Sequence, residues 1–366
     1  MTSPAAIDKR SPYSNLTPAE ITVPSAFTAL RKDFVRRGWY EKATVRIIVE
    51  LVGHVGLALG GIALFVFSQH LALRLFGLLV STYGSMGVGT NTHTSAHYAT
   101  SAKRWLNEGL TYFGFPVFLG VSATFWWHKH VAVHHLSPNV MGVDTDADLS
   151  PWFALSADEI EASSGWRRFY YVHLQFWVFP LAIAATCLNM QVASVAYLLQ
   201  NLCKPQQRKA AHWIDAAVIL SHVAVWLVVP LLFFPLSYVV GFYFLRAILL
   251  GYAMYMVLAP GHLPAEAQRT TAKAGKELEF FVLQTEATIS FRTGLIGRFL
   301  CSGLEYQVEH HLFPNISHVY YPQVSRAVQA FCLEHQLPYR SLNWGVALWK
   351  SWQVLRLPQP VIGARV

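Results

Sequence analysis

Sixteen histidines are spread unevenly through this chain, and most of them fall into clusters. His93 and His97 lie in NTHTSAHY, and His128, His130, His134 and His135 lie in WWHKHVAVHH. His310 and His311 lie in YQVEHHLFP, and His262 lies in APGHLP. Neutral imidazole is a good ligand for iron, zinc, copper or nickel. Residues four apart on a helix face the same way, so His93 and His97 can serve one ion, and His130 and His134 repeat that spacing. Adjacent histidines diverge by about 100 degrees on a helix. The pairs His134–His135 and His310–His311 therefore suit two ions side by side, one imidazole to each, which argues for a binuclear centre. Thiolate ligands are absent, which disfavours a structural zinc site, and so are the Glu-x-x-His motifs of carboxylate-rich di-iron bundles. The run Asp144-Thr145-Asp146-Ala147-Asp148 lacks the Gly and Glu of an EF-hand loop, since Leu149 and Leu155 stand at those positions. It reads as a solvated acidic loop that helps to place the second cluster. His54, His70, His173, His212, His222 and His335 stand alone and read as ordinary core or surface residues.

These clusters must be carried by a membrane protein. Of 366 residues, 54% are apolar and 13% charged, against about 25% charged in an ordinary soluble domain. Crossing a bilayer as a helix takes about 20 apolar residues. Residues 51–67 and 71–89 fit one hairpin of spans, and residues 216–234 and 236–259 fit a second. Basic residues flank these stretches: Arg31, Lys32, Arg36, Arg37, Lys42 and Arg46 before the first, and Lys204, Arg208 and Lys209 before the third. That placement puts the flanks in the cytoplasm, and it disfavours a nucleic-acid-binding face, for which the basic residues would gather on one surface. Arg74 sits near a span end, where it can snorkel. Arg246 lies mid-span and is expected to pair with a carboxylate or a backbone carbonyl. Two further apolar stretches, 110–127 with Pro116 and 169–199 with Pro180, are ambiguous. If neither makes a net crossing, every histidine cluster falls on the cytoplasmic side. The expected architecture is thus all-α and integral to the membrane: four transmembrane helices in two hairpins, with the ambiguous stretches re-entrant or interfacial. Residues 1–43 are expected to form a mobile cytosolic tail, and 44–366 the membrane catalytic domain. Beyond Pro314, residues 324–334 and 344–357 have the spacing of a packed helix and an interfacial one. Cys187, Cys203, Cys301 and Cys332 are scattered and read as reduced thiols.

The clusters resemble the three histidine boxes of membrane fatty-acid desaturases. HTSAH matches the first box, HVAVHH the second and QVEHH the third, and LEYQVEHHLFP is similar to the front-end desaturases, which have Gln where others have the first His of that box. The resemblance runs from about residue 51 to the C-terminus. It implies a four-span helical fold with a cytosolic cap, two irons, dioxygen as co-substrate, and a cis double bond introduced into a long acyl chain held as a lipid or a thioester. By position it assigns His93, His97, His130, His134, His135, His310 and His311 as iron ligands, with His262 as a further one. His128 is an extra histidine beside the second box. No His-Pro-Gly-Gly haem motif, flavin fingerprint or cysteine cluster is present, so an external electron donor of the cytochrome b5 or ferredoxin type is expected. Gln307 precedes His310 by three residues and shares its helix face; as a poorer ligand than imidazole it is expected to tune the site by hydrogen bonding. Trp126, Trp127, Phe125 and Tyr306 are candidates to line the acyl channel. The nearest rival is the same site performing hydroxylation, epoxidation or acetylenation, and a zinc-binding membrane receptor is the rival outside enzymes.

Overall fold

The computed structural model describes residues 23–271 and 277–362. Apolar length and small-residue packing build the first hairpin, from helices Thr44–Phe67 and Leu71–Ala96. Their backbones touch: a Cβ on Gly61 would lie 2.3 Å from the Ser81 nitrogen, and one on Gly84 would lie 2.3 Å from the Ala58 nitrogen. Glycine at these two positions permits the close crossing on which helix association in lipid depends. The second hairpin comprises Ala210–Leu231 and Leu236–His262. Both hairpins return toward the histidines, as their apolar lengths predict. The helix carrying the first cluster runs about two turns further than the apolar stretch, so His93 is helical and His97 caps the end.

Residues 110–127 do not cross as one helix. Arg104–Leu119 and Ala123–His134 meet at a bend of 108°. Gly120 makes the turn with φ +71, a left-handed conformation that favours glycine. The turn frees the carbonyls of Val117, Phe118 and Leu119, and buried carbonyls need donors. His222 Nδ1 and Trp226 Nε1 both donate to Val117 at 2.8 Å. Arg246 donates to Phe118 at 2.8 Å, and Gln191 to Leu119 at 2.8 Å. The mid-span arginine thus has the backbone-carbonyl partner its position calls for, and its guanidinium also lies 3.7 Å from the Trp226 ring centroid. Across the turn, the buried Asp215 accepts from the Ala123 and Thr124 amides at 3.1 and 2.8 Å, capping the helix that leads into the second box.

The stretch 169–199, expected to be re-entrant or interfacial, is part of a continuous helical run, Gly165–Cys203, that passes through Pro180. Among the described residues five helices are long and apolar enough to cross a membrane, or six if the bent pair counts as one span, against the four spans expected. At 39 residues the run is about 58 Å long, roughly twice the hydrocarbon thickness. Near its start Gln175 donates to Leu355 at 2.8 Å. Near its end Tyr197 meets Phe125, His128 and His212. Both ends therefore touch segments next to the second box or the C-terminal helix.

The polar side of the molecule is a cap of short elements: helices Glu277–Ala287, Gln307–Leu312, Tyr321–Glu334 and Trp344–Gln353, with β1 (Ser290–Arg292) parallel to β2 (Ser341–Asn343). The segment expected to be a mobile tail contributes to this cap. Helix Val23–Arg36 buries Phe27 and Phe34 against it. The Phe27 ring lies 4.9 Å from Phe281 and 5.5 Å from Phe313, and Phe34 lies 5.0 Å from Phe313. Residues 1–22 of that segment lie outside the described residues.

Candidate metal centre

The second box ends in a stretch of π-helix, Trp127–His134. There the His135 amide bonds to the His130 carbonyl, five residues back, at 3.1 Å. A π turn places residues five apart on one face. His130 consequently groups with His135, while His134 turns to the other side. One group brings together His93, His97, His130, His135 and His310, and a second brings together His134, His262 and His311; within each, the potential ligand atoms lie within 4.8 Å of one another. The i,i+4 spacing of His130 and His134 thus does not place them on one ion: the π turn separates them, although His130, His134 and Asp146 form a third, overlapping group. Both adjacent pairs divide as helix geometry predicts, one ring to each group. His128 is exposed and stacks on Tyr197 with ring centroids 5.4 Å apart, away from the centre.

Four of the rings are held from behind, while His135 Nδ1 and His262 Nδ1 have no partner. His130 Nδ1 is 3.0 Å from Asp146 Oδ2, and His134 Nδ1 is 2.9 Å from Asp144 Oδ2. Burial opposes ionisation of both carboxyls, yet His134 holds Asp144 below its ordinary range, and Lys129 and His130 hold Asp146 well below. Each carboxylate therefore accepts from Nδ1; His130, which burial lowers to about 3, keeps a lone pair on Nε2, whereas Asp144 raises His134 against the effect of burial. In the loop read as solvated, Asp144 is fully enclosed and Ala147 is buried, Asp146 and Asp148 are half-buried, and Thr145 is exposed. His311 Nδ1 donates to Gln284 Oε1 at 2.9 Å, while the Gln284 amide donates to the His135 carbonyl at 3.0 Å. His310 Nδ1 donates to the Tyr321 hydroxyl at 3.2 Å. Gln284 and Tyr321 stand in no motif, and nothing in the sequence singles them out.

The inward side is electron-rich and unsatisfied. The buried His97 Nε2 and His311 Nε2 have no hydrogen-bond partner. His93 Nε2 lies 2.8 Å from His130 Nε2, and His310 Nε2 lies 3.0 Å from His135 Nε2. Burial, then the nearby His134, lowers His97 to about 3. Burial and neighbouring imidazoles likewise keep His135, His310 and His311 well below the usual histidine range. These rings stay neutral at physiological pH. Converging neutral nitrogens with orphaned lone pairs are the donor set a metal cation satisfies, and an all-nitrogen set fits iron. Gln307 is buried beside the second group, with its Oε1 unpartnered; a Cβ on Gly261, next to His262, would lie 2.4 Å from Gln307 Cγ.

A narrow apolar cavity of about 30 Å³ reaches His93, bounded by Met86, Leu119, Trp126, Met190, Met254 and other apolar side chains. Of the aromatics expected to line a channel, Trp126 borders this cavity and stacks on His130 at 4.3 Å. Trp127 instead donates to the Ala96 carbonyl, Phe125 packs on Tyr197, and Tyr306 packs within the cap.

A family model described as fatty acid desaturase matches residues 69–343, a span that takes in all three boxes and His262. The Delta(8)-fatty-acid desaturase of Euglena gracilis is 26% identical over 355 residues, covering 92% of this chain and 81% of its own. The sn-1 linoleoyl-lipid 6-desaturase of Arthrospira platensis is 27% identical over 281 residues, 73% of each chain. Delta(8)-fatty-acid desaturase 2 of Arabidopsis thaliana is 24% identical over 361 residues, covering 93% of this chain and 75% of its own. A buried histidine centre able to hold metal, apolar helices fit for a multi-pass membrane protein, and the match over most of the chain lead to one conclusion: this protein belongs to the fatty acid desaturase family and is an oxidoreductase that desaturates acyl chains.

Proposed function

We propose that this chain introduces a cis double bond into a long acyl chain, held as a lipid or a thioester, at a di-iron centre. His93, His97, His130, His135 and His310 hold one ion, and His134, His262 and His311 the other. The observation that carries this reading is the division of His134–His135 and His310–His311 between two buried groups. The reaction balances as two vicinal C–H hydrogens, dioxygen, two electrons and two protons giving a double bond and two waters. An unactivated methylene has no acidic proton, so general acid–base chemistry does not suffice, and the irons with dioxygen supply the hydrogen abstraction when bound. The protein's own residues do the rest. Asp144, Asp146, Gln284 and Tyr321 fix the tautomer and angle of the rings they touch. Trp126, Met86, Leu119 and Met254 form a dry wall along which the acyl chain lies, and its entry requires the flexible methionines to give way. Gln307 offers its amide to the second ion's surroundings, a weaker, hydrogen-bonding group where other desaturases have the first His of the third box.

The histidine side is assigned to the cytoplasm, with both termini. In this arrangement Gly165–Cys203 lies along the membrane face rather than crossing. Its length and the contacts at its two ends support this, because a crossing would carry His262 to the side opposite His97. The electron donor is a separate protein of the cytochrome b5 or ferredoxin type whose docking face is acidic, since Arg31, Lys32, Lys103 and Arg326 are exposed on the cap side.

The test is the fatty-acid profile of a host expressing the chain. One new unsaturated species, absent with His310→Ala at equal membrane insertion, is the expected result. A hydroxylated product, or an unchanged product with His310→Ala, overturns the reading.

A further inference from the structure

At the end of both hairpins opposite the histidines lies an apolar crevice of about 470 Å³. Its walls include Ile62, Phe65, Trp226, Val229 and Tyr238, so it is enclosed by both hairpins and opens beside their turns. Arg74 stands at its edge. The guanidinium lies 5.1 Å from the Phe65 ring centroid and 5.4 Å from that of Tyr238, both wall residues, and it donates to the Tyr238 hydroxyl. This cation has no carboxylate in reach along either hairpin. Residues 51–107 contain no Asp or Glu, and neither do residues 216–265. Two long helices, Leu71–Ala96 and Leu236–His262, also begin at this face, with no acidic residue in the first turn and no side-chain cap. A cation in the first turn of a helix is disfavoured by the helix dipole, so here positive potential accumulates without a counter-charge from these spans.

We infer that this crevice binds one anionic glycerophospholipid of the leaflet opposite the histidine centre, with its phosphate at Arg74 and an acyl tail between the hairpins. The tail fills a volume that water would occupy at high cost, and the headgroup supplies the missing anion. The site is separated from the metal centre by the re-entrant turn at Gly120 and the residues that clamp it. It therefore serves as a structural lipid site, not a substrate path. It rests on the multi-pass arrangement and not on the identity of the metal.

The experiment is lipid retention through detergent purification, followed by exchange into vesicles. Mixed vesicles of phosphatidylglycerol and phosphatidylcholine serve as the probe. The wild type is expected to retain one anionic phospholipid per chain and to prefer phosphatidylglycerol about fivefold, the scale of one surface cation. Arg74→Gln should lose the preference, and Arg74→Lys should keep most of it. Val229→Trp, which fills the crevice, should lose the retained lipid. Iron content measured on the same samples should stay at the wild-type level in all three, which separates this site from the histidine centre. Equal retention of both lipids by the wild type, or undiminished preference in Arg74→Gln, overturns the proposal.

Discussion

The histidine side chains are legible because coordination demands repetition. Imidazoles four apart or adjacent are rare by chance, and no other residue type substitutes for them at such spacings. Their partition between two ions is not legible. It depends on the π turn at Trp127–His134, which pairs His130 with His135 instead of His134. The residues behind the rings are harder still. Asp144 and Asp146 lie in a polar run that reads as solvated, and Gln284 is a lone amide in a helix of mixed composition. Gln284 is nonetheless a sharp test, because it bonds His311 and the backbone of His135 together. Gln284→Leu is expected to lower iron occupancy and activity by about ten- to a hundredfold, while Gln284→Glu, which keeps an acceptor for His311 Nδ1, should recover part of both. Metal analysis beside turnover distinguishes this from simple misfolding. Gln307 behaves differently. Gln307→His should retain measurable desaturation, whereas Gln307→Leu should lose most of it because nearby polar groups are left unpaired. Product yield per inserted protein decides this, and wild-type yield in Gln307→Leu would remove the residue from the chemistry.

Elements are legible where one rule governs them. The two hairpins follow from apolar length and their turns. Pro116 and Gly120 mark the bend, but what holds it comes from elsewhere in the chain: Arg246, His222, Trp226, Gln191 and Asp215 converge from other helices. The long helix Gly165–Cys203 overrides the break that Pro180 invites. The N-terminal helix carried a signal that a reading by composition passes over, since Phe27, Leu30 and Phe34 recur at helical spacing in an otherwise polar segment. The bend gives a prediction of its own. Asp215 is buried and accepts from Ser122, Ala123 and Thr124. Asp215→Ala should destabilise the protein by roughly 1–3 kcal/mol by leaving those donors unpaired. A lower thermal midpoint in detergent checks this; an unchanged midpoint would show that the cap contributes nothing.

At the scale of the whole molecule, the clusters lie far apart in sequence and meet in one volume because two hairpins return to the same face and the cap closes over it. That juxtaposition is the topological claim. Single cysteines placed near His97 and near His318 should label from the same side of sealed vesicles, as should one at Leu357 beyond the C-terminal helix. Opposite labelling of the first two would end the single-centre arrangement.

The central claim is tested most directly by the metal itself. Protein purified from an iron-supplied host should carry about two irons per chain, with nitrogen and oxygen but no sulfur in the X-ray absorption shell. His135→Ala and His311→Ala, one from each group, should each lower that number while the protein still inserts. A single metal per chain, a sulfur ligand, or full iron content in both variants would contradict it.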